Sequence, residues 1–585
     1  MTIVRIRGRA ARAVVDPTAT PLAARRFNLD FVVSVLTAAH IDYFAIPHDR
    51  GVGTRVGVSE KHRDHAIAAL AAAATEQGVI VAGSSSRRLA GGVYWVYRPI
   101  ATSGEYLTFG AGCRCQLEFW PETDGVLTAP QPNAVCDTMP AESASVTVSA
   151  ANLSSFVPRD EPGRYATRGH FSGHVATSVR FPIDAVYTWV DGSDPEWMAR
   201  WRAVRGDHDL LSFQSANDSR YLDREELRYS LRSVNLYAPW IRRIFLVTDD
   251  QLPYWLNVDE PRMTVVSHRE LFSAGSRLPT FNSHAIESQL HRIPGLSEHF
   301  IYFNDDMFLG RAIGPSTFFH ANGIAKFFPS ATALVDVGEP TFDDLPVTAA
   351  GKNNRRVIGA HFGRTITQKM KHAPYPMRRS VMEEITRELH DLVMRTRDSQ
   401  FRHPDDLSIA SSLHHYWSYM RGTSVPGSLR YLYTDLADPA TVRRLFRLLR
   451  RRDFDTFCLN DTDSDPATRE ETAVLISTFL EHYFPVRSPF EVDPDVEAGR
   501  RGIGATALAD EWRRIQRPIK FAIRQPAVDI LGAVGHAPAG ETAASQIAAV
   551  AAATDELATG PAGGIDIAAT QMTAVEASAG EVAAS

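Results

Sequence analysis

The stretch from Phe300 to Gly310, FIYFNDDMFLG, constrains the fold of this chain more than any other. Its apolar residues 300–303 are typical of a buried strand, which stops abruptly at Asn304, Asp305 and Asp306. In open α/β sheets ligands bind outside the carboxyl ends of the strands, where adjacent carboxylates suit a hard divalent cation. On its own, an Asx turn that merely ends a strand explains the same residues equally well.

The pattern recurs earlier in the chain. Residues 183–190 (IDAVYTWV) run into Asp191, residues 244–248 (IFLVT) run into Asp249 and Asp250, and a further strand at 263–267 follows. Helical stretches separate these strands, which predicts a largely parallel, doubly wound α/β sheet. Because acids end three of the four strands, one sheet edge is expected to collect carboxylates that need metal or cationic partners.

The sequence predicts two helices near this edge of the sheet. The first has a capping motif at its start and arginines along one face. Asp223 fits an N-cap, with Glu226 completing a capping box. Arg224, Arg228 and Arg232 recur at helical spacing, and we expect them on a solvated face with i,i+4 ion pairs. Arg220, which precedes the cap, is the better candidate for binding an anionic substrate.

The second helix is short and carries a candidate general base. Asn282 or Ser283 caps it, and Glu287 and His291 fall together on one face at i,i+4 spacing. Glu287 is either a general base or an exposed acid paired with His291, and the spacing leaves both interpretations open.

Length and composition limit the classes of protein. A chain of 585 residues exceeds one hydrophobic core, so two to four domains are expected. The formal net charge of -6 gives no nucleic-acid signature. Four scattered cysteines favour reduced thiols over a disulfide framework or a zinc site. No secretory apolar segment and no run of about 18 apolar residues is present, which indicates a cytoplasmic protein.

Composition shifts divide the chain into five predicted parts. They are an N-terminal accessory α/β domain (1–125), a linker (126–180), a catalytic domain (181–495), a basic helical extension (496–530) and a disordered acidic Ala/Gly-rich tail (531–585). Two basic amphipathic stretches, 441–454 and 512–524, are candidates for peripheral binding to the inner face of the cell membrane. For the first, packing of its apolar face (Val442, Leu445, Phe446 and Leu449) on the core is the favoured interpretation.

Taken together, these stretches resemble the Stealth family of hexose-1-phosphate transferases, which includes capsular and exopolysaccharide phosphotransferases and the animal N-acetylglucosamine-1-phosphotransferase. IDAVYTWVDGSDPEW, SRYLDREELRYSLRSVNLYAPWIRRIFLVTDDQLPYWLN and PTFNSHAIESQLHRIPGLSEHFIYFNDDMFLG are similar to its first two conserved regions. HAPYPMRRSVMEEI and QFRHPDDLSIASSLHHYWSYM are similar to the third, and FCLND with LISTFLEHYFPVRSPFE to the fourth. The resemblance covers about residues 182–491.

The resemblance implies a glycosyltransferase-A-like, mostly parallel sheet with helices on both faces. It also implies a UDP-sugar donor, with UDP-N-acetylglucosamine or UDP-glucose favoured, a glycan acceptor, and Mg²⁺ or Mn²⁺. An acceptor hydroxyl would attack the β-phosphorus, UMP would leave, and a phosphodiester would form in exopolysaccharide or capsule synthesis. A conventional glycosyltransferase releasing UDP and a non-catalytic glycan- or nucleotide-binding protein are the alternatives.

The resemblance also assigns site residues. The implied catalytic residues are Glu287, Asp306, His372 and Arg402. The implied substrate-binding residues are Asp191, Arg220, Asn282, Lys371, Asp406 and Asn460. The implied metal ligands are Asp305, Asp306 and Asp461. His372 is expected on a loop, because Pro374 and Pro376 exclude a regular helix, and the general base is left open between Glu287 and His372.

Overall fold

The computed structural model describes residues 2–6, 9–83, 92–102, 107–206, 221, 223–461 and 469–514. The chain divides into two compact units, 1–509 and 510–585. Of the second unit only 510–514 are described, so the predicted tail lies outside the described residues, as does Arg220. The boundaries of the predicted domains therefore stay predictions.

The described part of residues 1–180 contains four sheets and three α-helices, and two of these helices pack on the largest sheet. The strands are β1 (Thr2–Ile6), β2 (Arg9–Val15), β3 (Phe44–Ile46), β4 (Thr54–Ser59), β5 (Ile80–Gly83), β6 (Val93–Tyr97), β7 (Ile100–Ala101), β8 (Thr108–Phe109), β9 (Cys115–Trp120), β10 (Glu122–Thr123), β11 (Val126–Thr128), β12 (Thr138–Pro140), β13 (Ser145–Ser149) and β14 (Arg164–Arg168). The helices are α1 (Pro21–Ala38), α2 (Arg63–Gln77) and α3 (Ala150–Leu153). Strands β3, β4, β9, β6 and β5 form one sheet in that order.

The core of this part lies between that sheet and its helices. Leu36 of α1 and Leu70 of α2 pack with Val56 and Leu117 of the central strands, and all four are fully buried. The segment 126–180, predicted as a linker, contains the hairpin β13–β14 and contributes Tyr165 to the same core. All four cysteines of the chain are free thiols, as predicted.

The remaining elements form the region of the predicted catalytic domain. The strands are β15 (Ile183–Thr188), β16 (Ile244–Thr248), β17 (Met263–Ser267), β18 (His299–Asn304), β19 (Met307–Leu309), β20 (Ala325–Phe327), β21 (Pro329–Leu334), β22 (Gln368–Met370), β23 (Tyr375–Arg378), β24 (Ser424–Pro426), β25 (Tyr431–Asp435) and β26 (Thr456–Asn460). The helices are α4 (Pro195–Arg205), α5 (Glu226–Tyr237), α6 (His268–Leu271), α7 (Ser283–Glu287), α8 (Pro346–Phe362), α9 (Arg379–Glu388), α10 (His390–Asp398), α11 (His414–Met420), α12 (Thr441–Arg451), α13 (Arg469–Tyr483) and α14 (Pro494–Arg500).

The predicted α/β fold with a mostly parallel sheet is confirmed. Strands β17, β16, β15 and β18 lie side by side in that order and run parallel, and β23 joins β18 antiparallel at the edge. Thr188 pairs with Asn304, and Thr248 pairs with Ser267, so the strands end level with one another. The acids that follow β15, β16 and β18 therefore meet at one edge of the sheet, where a ligand site is expected.

The predicted start of helix α5 is wrong by two residues, because the N-cap is Glu225 rather than Asp223. The helix begins at Glu226, because Glu225 adopts a left-handed backbone with φ of 63° and interrupts the turn that Asp223 would have capped. The Glu226 carboxylate instead accepts a hydrogen bond from the backbone N–H of Arg224 at 2.7 Å.

The predicted solvated arginine face of α5 is also wrong. Arg228 and Arg232 are buried, and both donate hydrogen bonds at 2.8 Å to Oε2 of Glu491. Burial alone would raise the pKa of Glu491, yet the hydrogen bonds and charges of the two arginines lower it to about 2. These ion pairs fasten the segment after α13 to α5, more than 250 residues away in the chain.

Helix α12 also differs from its predicted packing. Of the face predicted to pack, Leu445 is buried, whereas Val442 and Phe446 are 60% and 61% exposed. Leu448, which was not predicted on that face, is buried. The apolar set thus splits into a buried stripe and an exposed one. No helix among the described residues is long and apolar enough to cross a bilayer.

Candidate active site

The centre of the candidate site is the contact of Asp306 with His372 and Cys458. Asp306 follows β18, His372 lies on the loop before β23, and β23 pairs with β18. Cys458 comes from β26, where it pairs with Met307 of β19. His372 Nε2 lies 3.5 Å from Oδ1 of Asp306, and the Cys458 thiol donates to Oδ2 at 3.2 Å. One ligand atom from each of the three residues lies within 4.8 Å of the others.

His372 is held on both ring nitrogens, and its predicted loop position is confirmed. Nδ1 lies 3.3 Å from the Tyr375 hydroxyl, and Nε2 lies 3.5 Å from Nδ2 of Asn304. Burial acts to lower the pKa of His372, but the charges of Asp306 and Glu287 outweigh it and raise the pKa above its usual value. The imidazole therefore accepts a proton more readily than an isolated histidine does.

Glu287 is buried at the end of α7, so the alternative of an exposed acid paired with His291 is wrong. The helix stops at Ser288, before the fourth residue that would have aligned the pair. Burial raises the pKa of Glu287, against the opposing effects of His284, Tyr302 and His372. Its Oε1 lies 3.4 Å from the Tyr302 hydroxyl, and its Oε2 has no hydrogen-bond partner among the described residues.

The other end of α7 carries Arg402 and a buried polar anchor. Asn282 caps the helix and donates to Oδ2 of Asp406 at 2.8 Å and to the Phe401 carbonyl at 3.2 Å. Arg402 donates from Nη2 to the Ser283 hydroxyl at 2.8 Å. Asn282 and Asp406 thus position the loop that carries Arg402. Ser283, which Arg402 contacts, and Glu287 stand at opposite ends of α7, about 6 Å apart along the helix axis.

A cluster of acids lies on the other side of Asp306. Burial, and then the charges of Asp306 and Glu226, raise the pKa of Asp305 well above its usual range. Burial also raises the pKa of Asp223, and the neighbouring Glu226, Asp305 and Asp191 raise it further. Carboxylates that destabilise one another's ionised forms are stabilised by a cation. The edge of the sheet therefore has the electrostatics of a cation site.

The oxygen atoms of this edge fit a hard divalent metal. Oδ1 of Asn304 and Oδ1 of Asp306 are buried and have no hydrogen-bond partner in the described part of the chain. Together with Asp305 they form an oxygen donor set of the kind that Mg²⁺ and Mn²⁺ use. Burial and the adjacent Asp306 raise the pKa of the Cys458 thiol well above its usual value, so the thiol acts here as a donor to Asp306.

The other predicted metal ligand, Asp461, contacts the Arg224 guanidinium. Arg224 also lies 3.7 Å from Glu226 and is 7% exposed. Asp461 is thus joined to the acid cluster through a buried arginine, which neutralises part of its charge.

The remaining predicted substrate-binding residues lie in different surroundings. Oδ1 of Asp191 accepts two hydrogen bonds from Ser193 in the turn after β15. Lys371, beside His372, donates to the Leu429 carbonyl at 3.2 Å. Asn460 ends β26, two residues from Cys458, and its side chain is a neighbour of Tyr433 that acts to lower the pKa of that phenol.

Sequence reasoning missed several residues of this centre. Cys458 was interpreted only as a reduced thiol, although its alternation with Asn460 along FCLND indicates that the two share one strand face. Tyr302, which contacts Glu287, is predicted only as a residue of the apolar strand, and Tyr375, which contacts His372, is given no role. Arg224 was expected in solvent, and only the pairing of distant segments reveals its place beside the acids.

Comparisons with known proteins point to one family. The Stealth protein conserved regions match this chain in order, with region 1 at 181–209, region 2 at 220–327, region 3 at 371–419 and region 4 at 446–501. Glu287 and Asp306 lie in region 2, and His372 and Arg402 lie in region 3.

Two curated relatives extend this similarity beyond the four regions. An exopolysaccharide phosphotransferase of Streptomyces coelicolor is 44% identical over 533 residues, which cover 83% of this chain and 88% of that protein. The exopolysaccharide phosphotransferase CpsY of Mycobacterium tuberculosis is 35% identical over 505 residues, which cover 84% and 92%. A crystal structure of the galactosyltransferase LgtC aligns at 10% identity over 54% of this chain and 99% of its own, with a TM-score of 0.26, a likeness that supports no assignment.

Proposed function

The chain belongs to the Stealth family of exopolysaccharide phosphotransferases, and we propose that it transfers a hexose 1-phosphate from a UDP-sugar to a hydroxyl of a glycan, releasing UMP. Membership of the family makes it a sugar-phosphate transferase of exopolysaccharide synthesis. The proposal adds the nucleotide donor, its leaving group and the roles of individual residues. UDP-N-acetylglucosamine and UDP-glucose are the donors to be tested first.

One observation supports the proposal more than the others, namely the imidazole of His372 at 3.5 Å from the Asp306 carboxylate. Phosphoryl transfer needs a base for the incoming hydroxyl and charge to stabilise the transferring group. His372 takes the acceptor proton on Nε2, while the Tyr375 hydroxyl holds Nδ1. Asp306 and Glu287 stabilise the resulting imidazolium, consistent with the raised pKa of His372. Glu287 is then a supporting carboxylate rather than the base.

Arg402 is proposed to bind the phosphate that is transferred. Its Nη2 is fixed by Ser283, and its other guanidinium N–H groups remain to grip phosphate oxygens. Asn282 and Asp406 act indirectly, because they hold the ends of the two segments that Arg402 bridges.

The acid edge is proposed to hold Mg²⁺ or Mn²⁺ through Asp305, Asp306 and Asn304. When bound, the cation neutralises charge on the diphosphate of the donor. Asp191, Asp223 and Glu226 add negative charge around these ligands. Arg224 offsets part of it through its contacts with Asp461 and Glu226.

The test is identification of the nucleotide released from each UDP-sugar in the presence of a glycan acceptor and either metal. UMP release that requires acceptor is expected, and His372→Gln is expected to reduce it by about 10²- to 10⁴-fold. His390→Gln is the matched control, since His390 is an exposed histidine of α10. Release of UDP would identify a conventional glycosyltransferase instead.

Peripheral binding to the inner face of a membrane is proposed for helix α12. Its exposed stripe joins Val442 and Phe446 to the exposed arginines Arg443, Arg447 and Arg450. The Arg450 guanidinium lies 5.6 Å from the centre of the Phe446 ring. An apolar stripe bordered by arginines suits the interface of an anionic bilayer. The cytoplasmic location itself stays a prediction.

A further inference from the structure

Strand β25 turns one face towards the candidate centre. It pairs in parallel with β26, so that Tyr431 lies beside Thr456 and Tyr433 lies beside Cys458. Because side chains alternate along a strand, Tyr431 and Tyr433 share the face that carries Cys458. Cys458 in turn donates to Asp306. Tyr431 and Tyr433 therefore form an aromatic strip next to Cys458, at the edge of the candidate centre.

The hydroxyl of Tyr431 is buried without a hydrogen-bond partner among the residues that the structure describes. Its surroundings are Cys458, Tyr375 and Asp306, whose charges add to burial in raising the pKa of Tyr431. A buried hydroxyl is normally paired, and an unpaired one is destabilising until a ligand supplies the partner. Such a hydroxyl beside a catalytic carboxylate can bond to a hydroxyl of a bound sugar.

Tyr433 lies farther out on the same strip and is 39% exposed. Burial raises the pKa of Tyr433, and the neighbouring side chain of Asn460 opposes this shift. The face of an aromatic ring is electron-rich and attracts the weakly positive C–H groups of an apolar surface. The face of a pyranose ring presents such C–H groups, so an exposed tyrosine is suited to stack on a sugar.

We propose that Tyr431 and Tyr433 form a subsite for the acceptor sugar, Tyr433 by stacking and Tyr431 by a hydrogen bond. This inference rests on the proposed function. The donor diphosphate is assigned to the acid cluster that contains Asp305, next to Asp306. The tyrosines instead share a strand face with Cys458, which donates to Asp306. Both tyrosines lie in residues 420–445, between the third and fourth conserved regions, so this strip is separate from the shared phosphate-binding motifs.

The test compares acceptor and donor kinetics of the full chain. Tyr433→Ala is expected to raise KM for the acceptor about tenfold, with KM for the UDP-sugar changed less than about twofold. Tyr433→Phe keeps the ring and is expected to stay near wild type, whereas Tyr431→Phe lowers kcat/KM for the acceptor about fivefold. Tyr419→Ala is the matched control, because Tyr419 is a 45% exposed tyrosine of α11 outside the strip.

A second measurement is independent of turnover. Saturation-transfer NMR with free oligosaccharides of glucose, N-acetylglucosamine and mannose is expected to give signals that Tyr433→Ala abolishes and Tyr419→Ala preserves. Equal changes in donor and acceptor KM, or no change in either, would overturn the subsite while leaving the transferase intact. Tyr433-dependent glycan binding by a protein that releases no UMP would support the subsite and overturn the proposed function. Absence of glycan binding and of acceptor turnover together would overturn both.

Discussion

The thiol of Cys458 donates a hydrogen bond to Oδ2 of Asp306 at 3.2 Å, while Oδ1 of the same carboxylate faces His372 at 3.5 Å. The two oxygens of Asp306 thus have different environments. The thiol fixes the rotation of the carboxylate, and that rotation directs Oδ1 towards the imidazole and the acid edge. Cys458 is therefore a positioning residue for Asp306.

This relationship makes the thiol testable. Cys458→Ala is expected to lower kcat by about 5- to 10-fold, the value of one lost hydrogen bond, and to weaken Mn²⁺ binding in isothermal titration calorimetry. Cys458→Ser retains a donor and is expected to restore most of both quantities. Cys136→Ala, a free thiol of the N-terminal part, serves as the control. Equal loss in the Ala and Ser variants would contradict a donor role.

The pH dependence of kcat/KM follows from the raised pKa of His372. A base must be neutral to act, so kcat/KM is expected to rise with pH as His372 loses its proton. In the metal-free protein the pKa of His372 is expected to lie above the ordinary 6.5. Burial opposes this shift, and the charges of Asp306 and Glu287 produce it. In Asp306→Asn the His372 resonance, followed by histidine-labelled NMR in metal-free protein, is expected to titrate at lower pH. A His372 pKa at or below 6.5 in the metal-free wild type would contradict the assignment.

The buried ion pairs of α5 are expected to dominate local stability. Glu491→Gln leaves Arg228 and Arg232 without their shared carboxylate and is expected to cost about 3 kcal/mol or more of unfolding free energy. Chemical denaturation monitored by circular dichroism measures the loss. Glu388→Gln, which removes an exposed pair with Arg387, is expected to change stability by less than about 0.5 kcal/mol.

The carboxylate of Glu491 also makes the stability of the fold depend on pH in the acid range. Because the folded-state pKa of Glu491 is lowered from 4.5 to about 2, its stabilising contribution is complete above the unfolded value and is lost as pH falls from 4.5 towards 2. The wild type is therefore expected to lose its stability advantage over Glu491→Gln across that interval. An advantage that stays constant between pH 5 and pH 2.5 would contradict the assigned ion pair.

Membrane binding by α12 predicts a dependence on both lipid charge and one aromatic side chain. The protein is expected to cosediment with vesicles of phosphatidylglycerol and phosphatidylcholine, and less with phosphatidylcholine alone. Phe446→Asp is expected to weaken the association about tenfold, because it removes an exposed apolar group and adds repulsion. Val474→Asp on α13, 60% exposed, is the control. Equal binding to neutral and anionic vesicles would contradict the proposal.

The elements predicted most accurately from the sequence are those determined by residues close together in the chain. Strands β15, β16, β17 and β18 appear where apolar β-branched and aromatic runs end in polar residues, and acids do collect at their common edge. The cap at Asn282 and the loop position of His372 are likewise set by residues close in sequence. Local chemistry decides all of these features, so the sequence is sufficient.

The features that were missed depend on distant segments. Cys458 reaches Asp306 only because β26 pairs with β19, which lies 150 residues earlier. Arg228 and Arg232 follow a pattern typical of a solvated face until Glu491 covers them. The left-handed backbone of Glu225, which delays α5, is stabilised by contacts of its side chain with Arg228 and Tyr254. Contacts between segments far apart in the chain leave no periodic pattern in the sequence from which they could be predicted.

The central claim is that the transferred group is a sugar phosphate. A UDP-sugar labelled with ³²P at its β-phosphorus, incubated with metal and glycan acceptor, tests it directly. The account predicts that the label moves to the glycan in a bond resistant to phosphatase and that His372→Gln and Arg402→Ala abolish the transfer. Label that stays with UDP, while the sugar alone reaches the glycan, would contradict it.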